Sequence, residues 1–320
     1  HDLVREFLTR SMDESLRQEL HSNAKAWYRT RHGIAAERIE FIHHLNESGD
    51  TEGLAEVLST EGHSLVSAGH TELLGILRPL EGQSFDPKSW CIIRELRGDI
   101  LSIQGRWDDA EAEYEAAIPF ARKHKMAHEL ARLLSARADI AVKRGAMDDA
   151  LEMHRKSLEI QVSLRDAVGA ARSYNNMGYI YRRRKDNRRA LEVYGNVEDL
   201  LDAEDNPELC DARIRLASAF LEMGEMDRAR DHAMTAFEET EGQMDIVHAR
   251  ARAVLGRYYA RAKENELAMQ YYSGALDILS DQADPHSAVE VAMLLGQVLS
   301  DAGRKDEAAE HYIDALLLAE

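Results

Sequence analysis

The stretch SYNNMGYIYRRRKDNRRALEVYGNVEDL, Ser173–Leu200, decides the fold. Gly178 is followed three residues later by Tyr181, twelve later by Ala190, sixteen later by Tyr194 and nineteen later by Val197. That spacing describes two helices folded back on each other. Gly178 lets the partner helix approach closely, Ala190 does the same from the other side, and Tyr181 and Tyr194 fill the wedge between them. The turn is expected near Lys185-Asp186-Asn187.

The same offsets fit six times, with anchor pairs Gly98/Ala110, Ala138/Ala150, Gly178/Ala190, Ala217/Ala229, Gly256/Ala268 and Gly296/Ala308. First members lie 39 or 40 residues apart, and so regular a period marks a repeat array. Sixteen residues after each first member come Tyr114, His154, Tyr194, Ala233, Tyr272 and Tyr312. The turns repeat as Gly105-Arg106-Trp107-Asp108, Gly145-Ala146-Met147-Asp148, Gly224-Glu225-Met226-Asp227 and Gly303-Arg304-Lys305-Asp306. Each puts glycine where the first helix stops and an acid where the second begins, at the positive end of its dipole.

These small-residue, alanine and aromatic positions resemble an array of tetratricopeptide repeats over residues 91–320. The resemblance implies an all-α fold, a right-handed α-solenoid of helical hairpins, six of them. The usual repeat is about 34 residues, so these helices are expected to be longer by about a turn. The Asn175-Asn176 start is similar to the variant found in bacterial and archaeal regulators and kinesin light chains.

Upstream, residues 32–90 keep helical periodicity without the register and are read as irregular helical hairpins. Leu73, Leu74, Ile76, Leu77 and Leu80 suggest one helix, and Gln83–Lys88 has loop composition. Residues 1–31 are read as a helical junction in which Ser11 or Asp13 caps a helix carrying Leu16, Leu20, Ala24 and Trp27. The sequence opens HDLVREFL with no methionine, which suggests part of a longer protein. His1, Asp2, Leu3, Val4 and His21 resemble the junction after a winged-helix segment in signal-transduction ATPases with numerous domains, the family of the maltose-gene activator. That resemblance implies an upstream nucleotide-binding module in the same chain and a sensing role for the repeats.

With 40 Lys plus Arg against 58 Asp plus Glu, the net charge is −18. This argues against duplex nucleic acid as a partner, since phosphate contacts need positive surface. No apolar run is long enough to span a membrane. Cys91 and Cys210 occupy the same place in repeats three apart, too distant to bridge, so both are expected to be reduced thiols in a cytoplasmic protein. No GxxxxGK[ST], GxGxxG, GxSxG, HExxH or CxxC occurs, so no catalytic residues, cofactor or metal are assigned and the fragment is not expected to be an enzyme. His124 and His128 could share a helix face beside Glu129, without further ligands. His43 and His44 are adjacent and should point to different faces. Glu111, Glu113 and Glu115 read as a solvated helix face, and Trp107 as a seal on its hairpin.

In a tetratricopeptide array the first helix of each repeat lines the concave surface. The expected ligand or partner face is therefore Arg172, Asn175, Asn176, Tyr179, Arg182 and Arg183 in the third repeat and Arg250, Arg257 and Arg261 in the fifth, with Asp211, Ile214, Ser218 and Glu222 between. Arginine forks match carboxylate or phosphate, and a side-chain amide can pair with a peptide backbone. The resemblance assigns a peptide-binding asparagine to the position of Asn176. Solvation, or pairing with Asp211 and Glu222, is the competing expectation. The function expected is a ligand-sensing or partner-binding domain of a multidomain regulatory ATPase, its groove taking a peptide, a protein or a small-molecule inducer. A stand-alone scaffold is the alternative.

Overall fold

The structure is a computed structural model that describes residues 12–31, 34–82, 85–201, 206–242, 245–281 and 285–319. His1, Asp2, Leu3, Val4 and Ser11 lie outside them. Among the described residues every regular element is helical. In chain order they are α1 (Glu14–Tyr28), α2 (Ala35–Glu47), α3 (Thr51–Ser67), α4 (Leu73–Leu77), a 3-10 turn (Arg78–Gly82), α5 (Pro87–Ile103), α6 (Trp107–Lys123), α7 (Ala127–Lys143) and α8 (Met147–Leu164). They continue with α9 (Ala167–Arg183), α10 (Asn187–Leu200), α11 (Pro207–Met223), α12 (Met226–Glu239), α13 (Ile246–Arg261), α14 (Asn265–Asp281), α15 (Pro285–Asp301) and α16 (Lys305–Ala319). The fold is an all-α repeat of helical hairpins, two helices per repeat from α5 onward. Two compact units divide between Ile160 and Gln161, inside α8.

The spacing read from Gly178 is the packing observed. Tyr194 is fully buried, and a Cβ built on Gly178 would lie 2.3 Å from its ring. The corresponding distances are 2.4 Å for Gly98 and Tyr114, 2.6 Å for Gly256 and Tyr272 and 2.7 Å for Gly296 and Tyr312. Real Cβ atoms do not approach so closely, so a tyrosine of this rotamer at offset sixteen requires glycine at the anchor. Where the anchor is alanine, Ala138 or Ala217, the later residue is the smaller His154 or Ala233. The seventh residue after every anchor is left-handed. Glycine supplies this at 105, 145, 224 and 303, while Lys185 and Lys263 adopt φ 63° and 64°.

In the 1–160 unit the core runs from Phe41, Ile42, Leu54 and Leu73 through Leu96 and Ile100 to Tyr114 and Leu133. In the 161–320 unit Ala171, Val197 and Leu209 form one cluster, and Tyr272, Leu279, Leu295 and Leu299 lie in another. Asp13 caps α1 by accepting from the Leu16 amide at 2.8 Å, but no residue of α1 is buried, and Leu16, Leu20 and Trp27 are exposed. The single helix expected over Leu73–Leu80 is instead α4 followed by the 3-10 turn. Pro79 lacks an amide donor and its ring crowds the carbonyl four residues back. The loop ends earlier than expected because Asp86 accepts from the amides of Lys88 and Ser89 at 2.9 and 3.2 Å and starts α5 at Pro87. Trp107 opens α6 and is 38% exposed, outside the buried core. Cys91 and Cys210 are buried free thiols, pushed up to about 12 and about 11 by burial.

Candidate binding face

In the 161–320 unit the first helices α9, α11 and α13 carry the residues expected to bind. Each finds a different situation. Arg172 is exposed and pairs with Glu208 at 2.9 Å. Asn175 is buried and donates from Nδ2 to the Glu208 carbonyl at 2.9 Å, its Oδ1 left without a partner, so it ties α9 to the start of α11. Asn176 and Tyr179 are half-buried. Arg183 is exposed and donates to the Tyr179 hydroxyl at 3.2 Å.

Arg182 lies 3.7 Å from Glu222. Arg250 reaches Asp211 at 2.6 Å, and Arg261 donates to the Leu221 carbonyl near the C-terminal end of α11. These contacts make Arg250 and Arg261 part of the packing between α11 and α13. Ile214 and Ser218 do not face a groove. Both are buried, and the Ser218 hydroxyl donates to the Ile214 carbonyl at 3.0 Å.

The residue missed by sequence reasoning is Arg215, one turn beyond Asp211 on α11 and paired with it. Burial alone would raise the Asp211 carboxyl, but Arg215 and Arg250 outweigh it and hold the pKa below the ordinary value. The four-residue spacing of Asp211 and Arg215 could have signalled the pair.

Arg257 differs from all of these. It is half-buried on α13, one residue past its anchor Gly256, and has no ion-pair or hydrogen-bond partner among the described residues. Burial lowers its pKa and the nearby Arg182 adds to the effect, with Tyr272, Glu290 and Glu222 opposing. A guanidinium so placed gains most from an added carboxylate or phosphate.

The equivalent helices of the 1–160 unit carry acids. On α5, Glu95 is buried and holds Arg132 of α7 at 2.5 Å, while Asp99 accepts from the Tyr114 hydroxyl at 2.7 Å. Burial pushes the Glu95 carboxyl up, and Arg132 and His63 restrain the shift. On α7, Asp139 lies 3.7 Å from Nε2 of the fully buried His154, whose pKa burial lowers to about 4. The solvated acidic face expected on α6 is only partly so. Glu113 is buried between Arg94 at 2.8 Å and Arg97 at 2.5 Å, and Glu111 and Glu115 pair with Arg137 of α7 at 3.3 and 2.6 Å. His124 and His128 do not share a helix. Lys125, at φ 56°, breaks the chain between α6 and α7, and His124 packs on Phe120 instead.

Residues 129–203 match the family model for the tetratricopeptide repeat. These residues are tetratricopeptide repeats. No curated protein matches the chain. Among solved structures, a signal transduction ATPase with numerous domains from Pyrococcus horikoshii, described as having a tetratricopeptide repeat sensor, is 14% identical with a TM-score of 0.69. The match covers 98% of this chain and 48% of that one, so the chain spans about half its length. A Rap protein complexed with competence and sporulation factor is 14% identical, TM-score 0.67, covering 98% and 90% of the two chains. The Rap conjugation gene regulator of plasmid pLS20, in complex with the Phr* peptide, is 11% identical, TM-score 0.65, covering 99% and 88%. At these identities the likeness is one of fold, a tetratricopeptide-type array. No described helix is long and apolar enough to cross a membrane.

Proposed function

We propose that the chain is the sensing part of a regulatory protein, and that an extended peptide or protein segment bearing an anionic group docks on the first-helix face of residues 161–320. The observation that carries this reading is Arg257, a half-buried guanidinium beside Arg182 that has no partner among the described residues. Arg172, Arg250 and Arg261 tie their helices to α11, whereas Arg257 offers its fork to a ligand. Asn176 and Tyr179, half-buried on α9, supply an amide and a ring for a peptide backbone. Similar arrays solved in complex with competence and sporulation factor and with the Phr* peptide support a peptide as the occupant.

Ligand binding acts on the rest of a parent protein only if two states of the array bind it with different affinity. The similarity to an ATPase with a tetratricopeptide sensor favours a nucleotide-binding module as what is regulated. A GxxxxGK[ST] motif upstream in the same reading frame would support that parent, and its absence would favour a stand-alone scaffold.

The test is a thermal-shift screen of the chain against pools of acidic peptides, sugars, nucleotides and amino acids. A ligand at a hundred times its Kd stabilises by about 2.7 kcal/mol. The expected hit is an acidic peptide whose shift disappears in Arg182→Ala/Arg257→Ala while circular dichroism and the ligand-free Tm stay nearly unchanged. A hit that survives this double substitution refutes the site.

A further inference from the structure

We infer that His21, His43 and His44 form a binding site for a divalent transition-metal ion of the zinc class. His21 comes from α1 and the other two from α2. Consecutive helical residues diverge, yet both rings reach His21, because it enters against the edge that the pair shares. Ring centroids lie 5.0 Å apart for His21 and His44, 5.3 Å for His43 and His44 and 5.7 Å for His21 and His43. One nitrogen from each ring falls within 4.8 Å of the others. Three imidazoles bonded at about 2.0–2.1 Å around a tetrahedral ion place their ring centres about 5 Å apart. The ring centres therefore already stand at the spacing of a three-histidine site.

The Nδ1 atoms of His21 and His44 approach to 2.8 Å. Two imidazole nitrogens at that distance require a proton or a cation between them, since otherwise lone pair faces lone pair. The other nitrogen of His44, Nε2, faces the Glu40 carboxylate at 3.9 Å. A carboxylate behind a ligating histidine is the usual outer support of such a ligand, fixing its tautomer and raising its basicity. Tyr28 stacks on His44 and sets its plane, with centroids 5.5 Å apart. The donor set, three neutral nitrogens, suits zinc, copper or nickel and not calcium or magnesium. Water would complete the coordination.

Two comparisons sharpen the assignment. His63, Glu95 and Asp99 also bring donor atoms together, but Arg132 already lies 2.8 Å from His63 Nε2 and 2.5 Å from Glu95. A guanidinium there does the work of a cation and repels a second one. In addition, α1 buries no side chain yet packs along α2, and its Lys25 pairs with Asp50, the cap of α3, at 2.8 Å. An ion gripped by one helix and then the other would supply the attachment that apolar burial does not.

The experiment is titration of the 320-residue chain, stripped with a chelator, with Co²⁺ and then Zn²⁺. One equivalent of Co²⁺ should give the intense visible absorption of a four-coordinate site, and one equivalent of Zn²⁺ should abolish it. His21→Gln and His43→Gln, on different helices, should each weaken binding by at least about tenfold, and Glu40→Gln by about tenfold, while His63→Gln changes nothing. Circular dichroism checks that each variant is folded. A wild-type chain that shows only the weak absorption of six-coordinate Co²⁺ overturns the site, and that result needs no variant. Unchanged binding in both His21→Gln and His43→Gln, or an equal loss in His63→Gln, overturns it too.

Discussion

Asp99 and Arg257 occupy the same place in their repeats, one residue past an anchor glycine and beside the tyrosine fifteen positions further on. In the 1–160 unit the Tyr114 hydroxyl donates to Asp99, and burial together with that negative charge raises the phenol pKa. In the 161–320 unit burial likewise raises the Tyr272 phenol, but Arg257 pulls it back. The backbone lock is identical and the charge beside it is opposite. A repeat thus fixes where a side chain stands and leaves its chemistry open. One unit uses that freedom for an acid that the lock tyrosine itself satisfies, and the other for an arginine with no counterpart among the described residues.

The largest test of that division compares Arg215 with Arg257. Arg215→Met leaves the buried Asp211 with a single counter-charge and should cost about 3 kcal/mol, seen as a lower urea midpoint. Arg257→Met should change stability by less than about 0.5 kcal/mol. Equal losses would mean that Arg257 is as structural as its neighbour.

The second test titrates the odd lock, Ala138 with His154. The unfolded histidine protonates near pH 6.5 and the folded one only near 4, because burial lowers its pKa. Between those values the unfolded state binds more protons, so stability falls as pH drops from 6.5 to 4, by about 3 kcal/mol. Asp139 is shifted upward by burial and acts with the opposite sign. It keeps 55% of its side chain exposed, so water screens it and it offsets only part of the loss. Ala138→Gly/His154→Tyr restores the glycine and tyrosine pair, with the new hydroxyl facing Asp139, and should flatten the pH profile. An unchanged profile would put the effect elsewhere.

Smaller effects separate the two kinds of glycine. Gly178→Ala drives a methyl into Tyr194 and should cost about 2 kcal/mol, whereas nothing lies within 4 Å of a Cβ on Gly195 and Gly195→Ala should gain about 0.5–1 kcal/mol. Lys263→Gly relieves a left-handed lysine and should stabilise by about 0.5 kcal/mol. Thermal unfolding of each variant reads both signs.

The locks and turns were legible because each lies inside one hairpin, where fixed offsets along the chain are fixed distances in space. Gly178, Tyr194 and the turn at Lys185 follow from spacing alone. The charged face was less legible. Whether Asn175 is buried depends on how one hairpin rotates against the next, and pairs such as Arg182 with Glu222 or Arg172 with Glu208 join residues 36–40 apart. The sequence placed Asp211 and Glu222 opposite arginines, and those pairs formed. It placed Ile214 and Ser218 on the same face, and the tighter packing of α11 hides them. The histidine triangle escaped because helical spacing compares residues within α2 and says nothing of the ring arriving from α1.

Every glycine and tyrosine lock closes over sixteen residues, which makes the array a molecule of short-range contacts. Chains whose contacts are local fold fast, since little loop entropy is lost before a contact is made. Each hairpin can therefore close on its own while the chain is still emerging from the ribosome, before the repeat that will cover it has been synthesised.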